Sequence, residues 1–563
     1  MSQPKAPQTG RLRDELSIPG FIIGIVGCVI LTAASAYTAL KLGSLPWPTI
    51  FTSIAALLLL RAFGRRSINE ANITQIVMSA GSMVAGGLAF TIPGIWMLGL
   101  TDEVSIWQMF FVALAGTLLG LVCTGLIRER MVEKSSLEYP IGTAAAETLQ
   151  AAQVGGSTGK KLFGSMALAG LWSVLRDALG AIPPMLLALP IPGVSFGIFN
   201  SPMMLSVGFL VGFVPVAFWF GGAVFANFGL IVGGSAAGIW SVETAQGIVS
   251  SLGMGLMMGA GIAVVLKDVL PQLVHGLSKK DSNESSGFAG DVQSKSEAGL
   301  LAILVAIAAL VAGVGLGFGP IPTIVVVLFS FVTTIMSAQS VGQTGIDPME
   351  IFGLIVLLIV AAISDLSELS LFFVAGIITV ACGLAGDVMS DFKTGSILGS
   401  NPRTLWKAQA LGACVGVFVA VGTMVALEQA YGPEAFGLGK AFVSTQASVV
   451  ATMVSGIPSV PAFVIGLVAG IALYFLGLPA MMVGLGVYLP FYMTFSAFLG
   501  ALVKVVFDKV TRSRAEKAGI GKDELAAHEA KTQQDGIVVA SGVLGGESIV
   551  GVIIALVTIL LSL

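Results

Sequence analysis

Residues 18–42 read IPGFIIGIVGCVILTAASAYTALKL, and the only charge among them is Lys41, close to the far end. As a helix this run rises about 37 Å, more than the roughly 30 Å of a bilayer's hydrocarbon core. The polar residues 1–16 before it carry Lys5, Arg11 and Arg13. The run exceeds the apolar stretch of a cleaved signal peptide and shows no cleavage site, so it reads as a retained first helix.

Outward from this segment, apolar runs of similar length recur along nearly the whole chain. Of the 563 residues 55% are apolar and 10% charged, against roughly a quarter charged in a soluble domain. Lipid leaves backbone polar groups unsatisfied, which restricts a spanning fold to helices or a closed barrel. The runs lack the barrel's alternation. The predicted fold class is therefore an all-α polytopic membrane protein of roughly 14 to 16 transmembrane helices. The 72 glycines fit it, because small residues let helices approach where no hydrophobic drive separates helix from lipid.

Basic residues flank the first helices on one side: Lys5, Arg11 and Arg13, then Arg61, Arg65 and Arg66, then Arg128, Arg130 and Lys134. The positive-inside rule puts those ends, and the N-terminus, in the cytoplasm. A bacterial inner membrane is the expected location.

Polar stretches break the pattern near 271–296 and 508–534. Both read as solvated loops, and the first lies near the middle. Around it the sequence repeats in order: Leu42-Gly-Ser-Leu-Pro-Trp-Pro-Thr-Ile50 with Leu316-Gly-Phe-Gly-Pro-Ile-Pro-Thr-Ile324, Glu138-Tyr-Pro-Ile-Gly-Thr143 with Asp391-Phe-Lys-Thr-Gly-Ser396, Pro202-Met-Met-Leu-Ser-Val-Gly208 with Pro479-Ala-Met-Met-Val-Gly484, and Gly247-Ile-Val249 with Gly536-Ile-Val538. Four matches in order predict two duplicated halves: residues 17–270 after the tail 1–16, and residues 297–563 after the linker 271–296. Duplicated halves are a habit of secondary transporters.

Matching segments interrupted by Gly or Pro point to a transport site. Here they are 139–150 and 392–401, predicted to be re-entrant or half-spanning elements that line a cavity. Ionisable residues at membrane depth are costly and mark function, and a carboxylate in a low dielectric exchanges protons near neutral pH. Glu138, Glu147, Asp387, Asp391 and Glu547 are such candidates, while Arg176 and Asp177 read as ties between helices. Asn401 closes the second segment.

Enzyme signals are weak. Gly155-Gly-Ser-Thr-Gly159 matches the nucleophile-elbow pattern, with Ser157 as the nucleophile of an intramembrane hydrolase, but no strand precedes it. The two histidines, His275 and His528, lie in polar stretches, and Cys28, Cys123, Cys382 and Cys414 are scattered through apolar runs. No metal site, cofactor, nucleotide-binding loop or nucleic-acid partner is expected. A passive channel is the other alternative, without the repeated charge rings it would need.

Tyr37-Thr-Ala-Leu-Lys-Leu-Gly43, Leu137-Glu-Tyr-Pro-Ile-Gly-Thr-Ala-Ala-Ala-Glu147, Gly386-Asp-Val-Met-Ser-Asp-Phe-Lys-Thr-Gly395, Asn401-Pro-Arg403 and Gly484-Leu-Gly-Val-Tyr-Leu-Pro490 together resemble the oligopeptide transporter family, which includes the yellow-stripe-like metal-chelate carriers. The resemblance spans nearly the whole chain. It implies a proton-coupled importer of small peptides, or of metal chelates resembling siderophore or nicotianamine complexes, and a homo-oligomer is compatible with it. It places expected substrate and coupling roles on Glu138, Tyr139, Gly142 and Thr143, and on Asp391, Lys393 and Gly395.

Overall fold

The computed structural model describes residues 12–42, 49–135, 137–153, 158–264, 266–267, 295–344, 347–517 and 522–562. Ser157 and nearly all of the linker 271–296 lie outside them. Among the described residues ten helices are long and apolar enough to cross a membrane, and four shorter apolar helices accompany them. The chain is an all-α polytopic membrane protein. It divides into two compact units, each drawing one stretch from either side of residue 265: Met1–Gly155 with Val265–Ser455, and Gly156–Val264 with Gly456–Leu563.

In the first unit the elements that matter below are α1 (Ile18–Leu42), α2 (Ile68–Ala89), α3 (Ile106–Arg128), α4 (Pro140–Gln153), α5 (Pro320–Thr344), α6 (Met349–Ile363), α7 (Glu368–Cys382), α8 (Val388–Leu398) and α9 (Pro402–Tyr431). The central helix is α2. Ser67 caps it by accepting from the Glu70 backbone N–H at 3.2 Å, satisfying one orphan donor of the first turn. Its spanning segment is wholly buried, against α1 on one side and α9 on another. At the α2–α9 crossing a Cβ on Gly416 would collide with the Gly81 backbone, and one on Gly412 with the Val77 carbonyl. The two glycines of α9 let the backbones touch, so dispersion replaces the hydrophobic drive that lipid cannot supply. Outer helices show the complement: Ile321, Ile324, Leu328 and Val332 form an exposed apolar stripe on α5, at helical spacing and matched to hydrocarbon.

The second unit uses the same device. Helices Val242–Val264 and Val460–Phe475 meet where Gly255 lies on the Phe463 carbonyl and Gly466 on the Leu252 carbonyl. A two-stranded antiparallel hairpin, Met185–Ile191 with Val194–Phe199, is the one β-sheet among the described residues. The all-helical reading missed it because its apolar strand does not alternate, which periodicity cannot tell from helix. The signal was Pro192-Gly193, a two-residue turn whose Gly193 takes φ 77°, the Pro-Gly order of a type II turn. The hairpin is tied down by the Phe199 N–H donating to Ser496 Oγ at 2.8 Å and by Phe196 stacking on Phe491.

The stretch 508–534, expected as a loop, is helical over its described residues, within Phe491–Lys517 and Lys522–Ser562. Its charges pair four residues apart, Lys504 with Asp508 and Arg512 with Glu516, which supports a solvated helix where polarity alone suggests coil.

Candidate transport site

The two segments singled out in the sequence meet in the first unit. Helix α4 begins at Pro140, whose fixed φ suits a first helical position, immediately after Tyr139. Helix α8 follows α7 through a wide π-turn at Gly383–Asp387, a local widening common at functional sites. A Cβ on Gly142 would overlap the Ser390 carbonyl, so α4 and α8 touch backbone to backbone. Thr394 Oγ1 donates to the Gly142 carbonyl at 2.8 Å, and Lys393 Nζ donates to the Leu137 carbonyl at 3.0 Å.

The expected break at 392–401 proves to be a helix end. Glu368–Leu398 runs as one span, stops at Gly399 with φ 74°, and restarts at Pro402 with Asn401 as its cap, Oδ1 accepting from the Arg403 N–H at 3.0 Å. Gly395 lies inside the helix because Leu405 closes over the place a side chain would take. It serves packing and breaks nothing.

Tyr139 holds the entrance to α4. It is fully buried, its backbone takes φ 48°, and its N–H donates to the Gly342 carbonyl at 2.9 Å. A bulky residue in the left-handed region costs about 1–3 kcal/mol and is kept where surrounding contacts impose it, often at ligand sites. Its hydroxyl has no hydrogen-bond partner among the described residues. Beside it opens a cleft of about 530 Å³, lined by Ser135, Glu138, Thr143, Lys393 and Ile397 among others. Glu138 is exposed at the cleft, and Thr143 Oγ1 donates to the Glu138 carbonyl at 2.7 Å. Glu147 lies along α4, its side chain outside the described residues.

Behind the cleft the α2 face carrying Asn72, Gln75, Ser79 and Ser82 runs antiparallel to α8 and the π-turn. Asp391, 3% exposed, accepts from Gln75 Nε2 at 2.8 Å and from Ser79 Oγ at 2.9 Å. Asn72 Nδ2 donates to Ser400 Oγ at 3.3 Å. Asp387 is buried in the π-turn, with Asp347, Asp391 and Glu350 within electrostatic reach. Asp347 and Glu350 were missed in the sequence, although an Asp-Pro-Met-Glu run between two apolar helices carries the same signal as Asp387: acid at membrane depth. Among the described residues no three His, Cys, Asp or Glu converge on a metal position.

Glu547 belongs elsewhere, in the second unit. Arg176 Nη2 donates to Glu547 Oε1 at 2.9 Å, and the same guanidinium binds Asp177 and the Asn200 carbonyl. Ser201 Oγ and the Met203 N–H complete the Glu547 carboxylate at 2.9 and 2.8 Å. Both oxygens are engaged, the geometry of a structural tie.

The described residues thus form a bundle of membrane-crossing helices with buried acids behind a cleft that carries both signs of charge. The family follows from comparison: residues 15–558 match the model described as OPT oligopeptide transporter protein, and the chain belongs to that family. It is similar to a Haemophilus influenzae protein named "Putative oligopeptide transporter", 24% identical over an alignment 599 positions long that covers 92% of each chain. A Saccharomyces cerevisiae protein of the same descriptive name is 30% identical over 125 residues, 21% of this chain and 17% of that one.

Proposed function

We propose that this protein imports short peptides across a bacterial inner membrane, driven by protons moving inward, with its N-terminus in the cytoplasm. The cleft between α4 and α8 carries the reading. It places a carboxylate, Glu138, and an ammonium, Lys393, on one opening, and a peptide presents one charge of each sign at its termini. Lys393 already spends one proton on the Leu137 carbonyl, which fixes its head and leaves donors for a carboxylate. Gly142 and Thr394 hold the two walls together, Thr143 lines the mouth beside the buried Tyr139, and Asp391 stands one layer behind.

The duplication of the chain belongs to the same reading. Each of the four repeated motifs has both copies in one unit, Glu138–Thr143 and Asp391–Ser396 in the first, Pro202–Gly208 and Pro479–Gly484 in the second. The alternative cargo is a metal chelate, since a metal wrapped in its chelator would need no protein ligand.

The test is uptake by proteoliposomes under an imposed pH gradient, with di- to pentapeptides and ferric and nickel chelates offered side by side. Saturable peptide uptake that stops when the gradient is collapsed is the expected result. Uptake of chelates alone would overturn the cargo, and uptake indifferent to the gradient would overturn the coupling.

A further inference from the structure

Ser337 on α5 donates to Asp347 Oδ1 at 2.7 Å and lies 3.3 Å from the Cys382 carbonyl, at the edge of the π-turn. Both Ser337 and Asp347 press onto Gly386: a Cβ there would collide with Ser337 Oγ and stand 2.9 Å from Asp347 Oδ2. Asp387 is the next residue. Among the described residues neither Asp347 Oδ2 nor Asp387 Oδ1, both buried, has a hydrogen-bond partner, and Asp387 is 5% exposed. Two buried carboxylate oxygens without a partner among the described residues thus come from Asp347, which touches Gly386, and from Asp387, the next residue, which lies within electrostatic reach of Asp347.

The elements packed on the π-turn bring acids and thiols. Glu350 comes from α6, Asp391 from α8, Cys382 from α7 and Cys123 from α3. Helix α5 carries no charged residue, and α2 carries Glu70, which pairs with Arg65. The cations on α3 and α8 are engaged elsewhere, Arg128 with Glu133 and Lys393 with the Leu137 carbonyl.

A water between the two oxygens would supply donors but leave two like charges side by side. One proton does both jobs. It turns one acid into an O–H donor for the other and removes half the charge, the arrangement of two carboxylates that share a proton because both cannot ionise together. A metal ion fits less well, because no three ligating side chains converge among the described residues.

We propose that Asp347 and Asp387, flanking Gly386 at the π-turn, hold one shared proton, and that this pair is the carrier of the coupling proton, a role that rests on the proton-driven reading above. Ser337 positions it by fixing Asp347 Oδ1, so that the other oxygen faces the π-turn.

The experiment is infrared difference spectroscopy on the full chain in liposomes, without substrate. Wild type is expected to show the carbonyl stretch of a buried protonated carboxyl, and Asp347→Asn and Asp387→Asn are each expected to lose it, because the proton belongs to both. A band that survives both substitutions, or is missing from wild type, overturns the pair. Should an asparagine variant fail to reconstitute, Asp347→Glu and Asp387→Glu replace it. Each must then shift the pH at which the band half disappears, and an unshifted midpoint in both overturns the proposal. Gradient-driven uptake by a wild type without the band would sink the pair and leave proton coupling standing. The band with gradient-indifferent uptake would support the shared proton and sink the coupling.

Discussion

Gly142→Val is expected to abolish uptake, because the new side chain would sit on the Ser390 carbonyl. A backbone oxygen inside a helix cannot rotate away, so α4 and α8 must separate. Separation breaks the bonds from Thr394 to Gly142 and from Lys393 to Leu137, which set the width of the cleft. Overpacking of this kind costs about 1–3 kcal/mol. A melting temperature in detergent lowered by a few degrees, with uptake lost, is the expected pair of observations. Gly164→Ala is the control, since nothing lies within 4 Å of that position. Alanine there should keep uptake and gain about 0.5–1 kcal/mol of helix stability. Gly142→Val protein that transports normally would show that the α4–α8 contact is incidental.

Arg176→Met is expected to cause the largest loss of stability. Arg176 and Glu547 side chains are 1% and 2% exposed, and removing the cation leaves Glu547 charged in the core of its unit. Breaking a buried pair from one side typically costs about 3–5 kcal/mol. The double variant Arg176→Met with Glu547→Gln should recover much of that loss, because it removes the uncompensated charge as well. Thermal unfolding in detergent reads both. A single variant as stable as wild type would mean that the network contributes little, and Glu547 would return as a candidate for transport.

The bundle itself was legible because lipid imposes length and apolarity on each span, and both are visible in a run such as 18–42. The segments 139–150 and 392–401 stand out in the sequence through their Gly and Pro residues, but the glycines play a different part from the one expected. Gly142 and Gly395 were read as breakers, yet both lie within helices and are there so that another element can come close. Sequence shows where a side chain is missing, not what fills the gap. Asn401 was likewise a helix cap, which an Asn-Pro start signals locally.

Other features depended on contacts between distant residues. Gln75 and Ser79 had no reason to stand out until Asp391, more than three hundred positions away, was found between them. Asp347 and Glu350 are visible as acids between apolar runs, but no repeated motif carries them. The hairpin was hidden for a different reason: its apolar strand and a buried helix share one composition.

Solute is proposed to pass the cleft walled by α4 and α8. The most direct measurement is the rate at which a membrane-impermeant maleimide modifies Thr143→Cys in a Cys414→Ala background, with and without the peptide taken up best. Cys28, Cys123 and Cys382 are buried and Cys414 is exposed, so the new thiol would be the reactive one among the described residues. Saturating peptide is expected to slow modification at position 143 over the same concentrations that saturate uptake. Equal rates with and without peptide, in a variant that still transports, would contradict it.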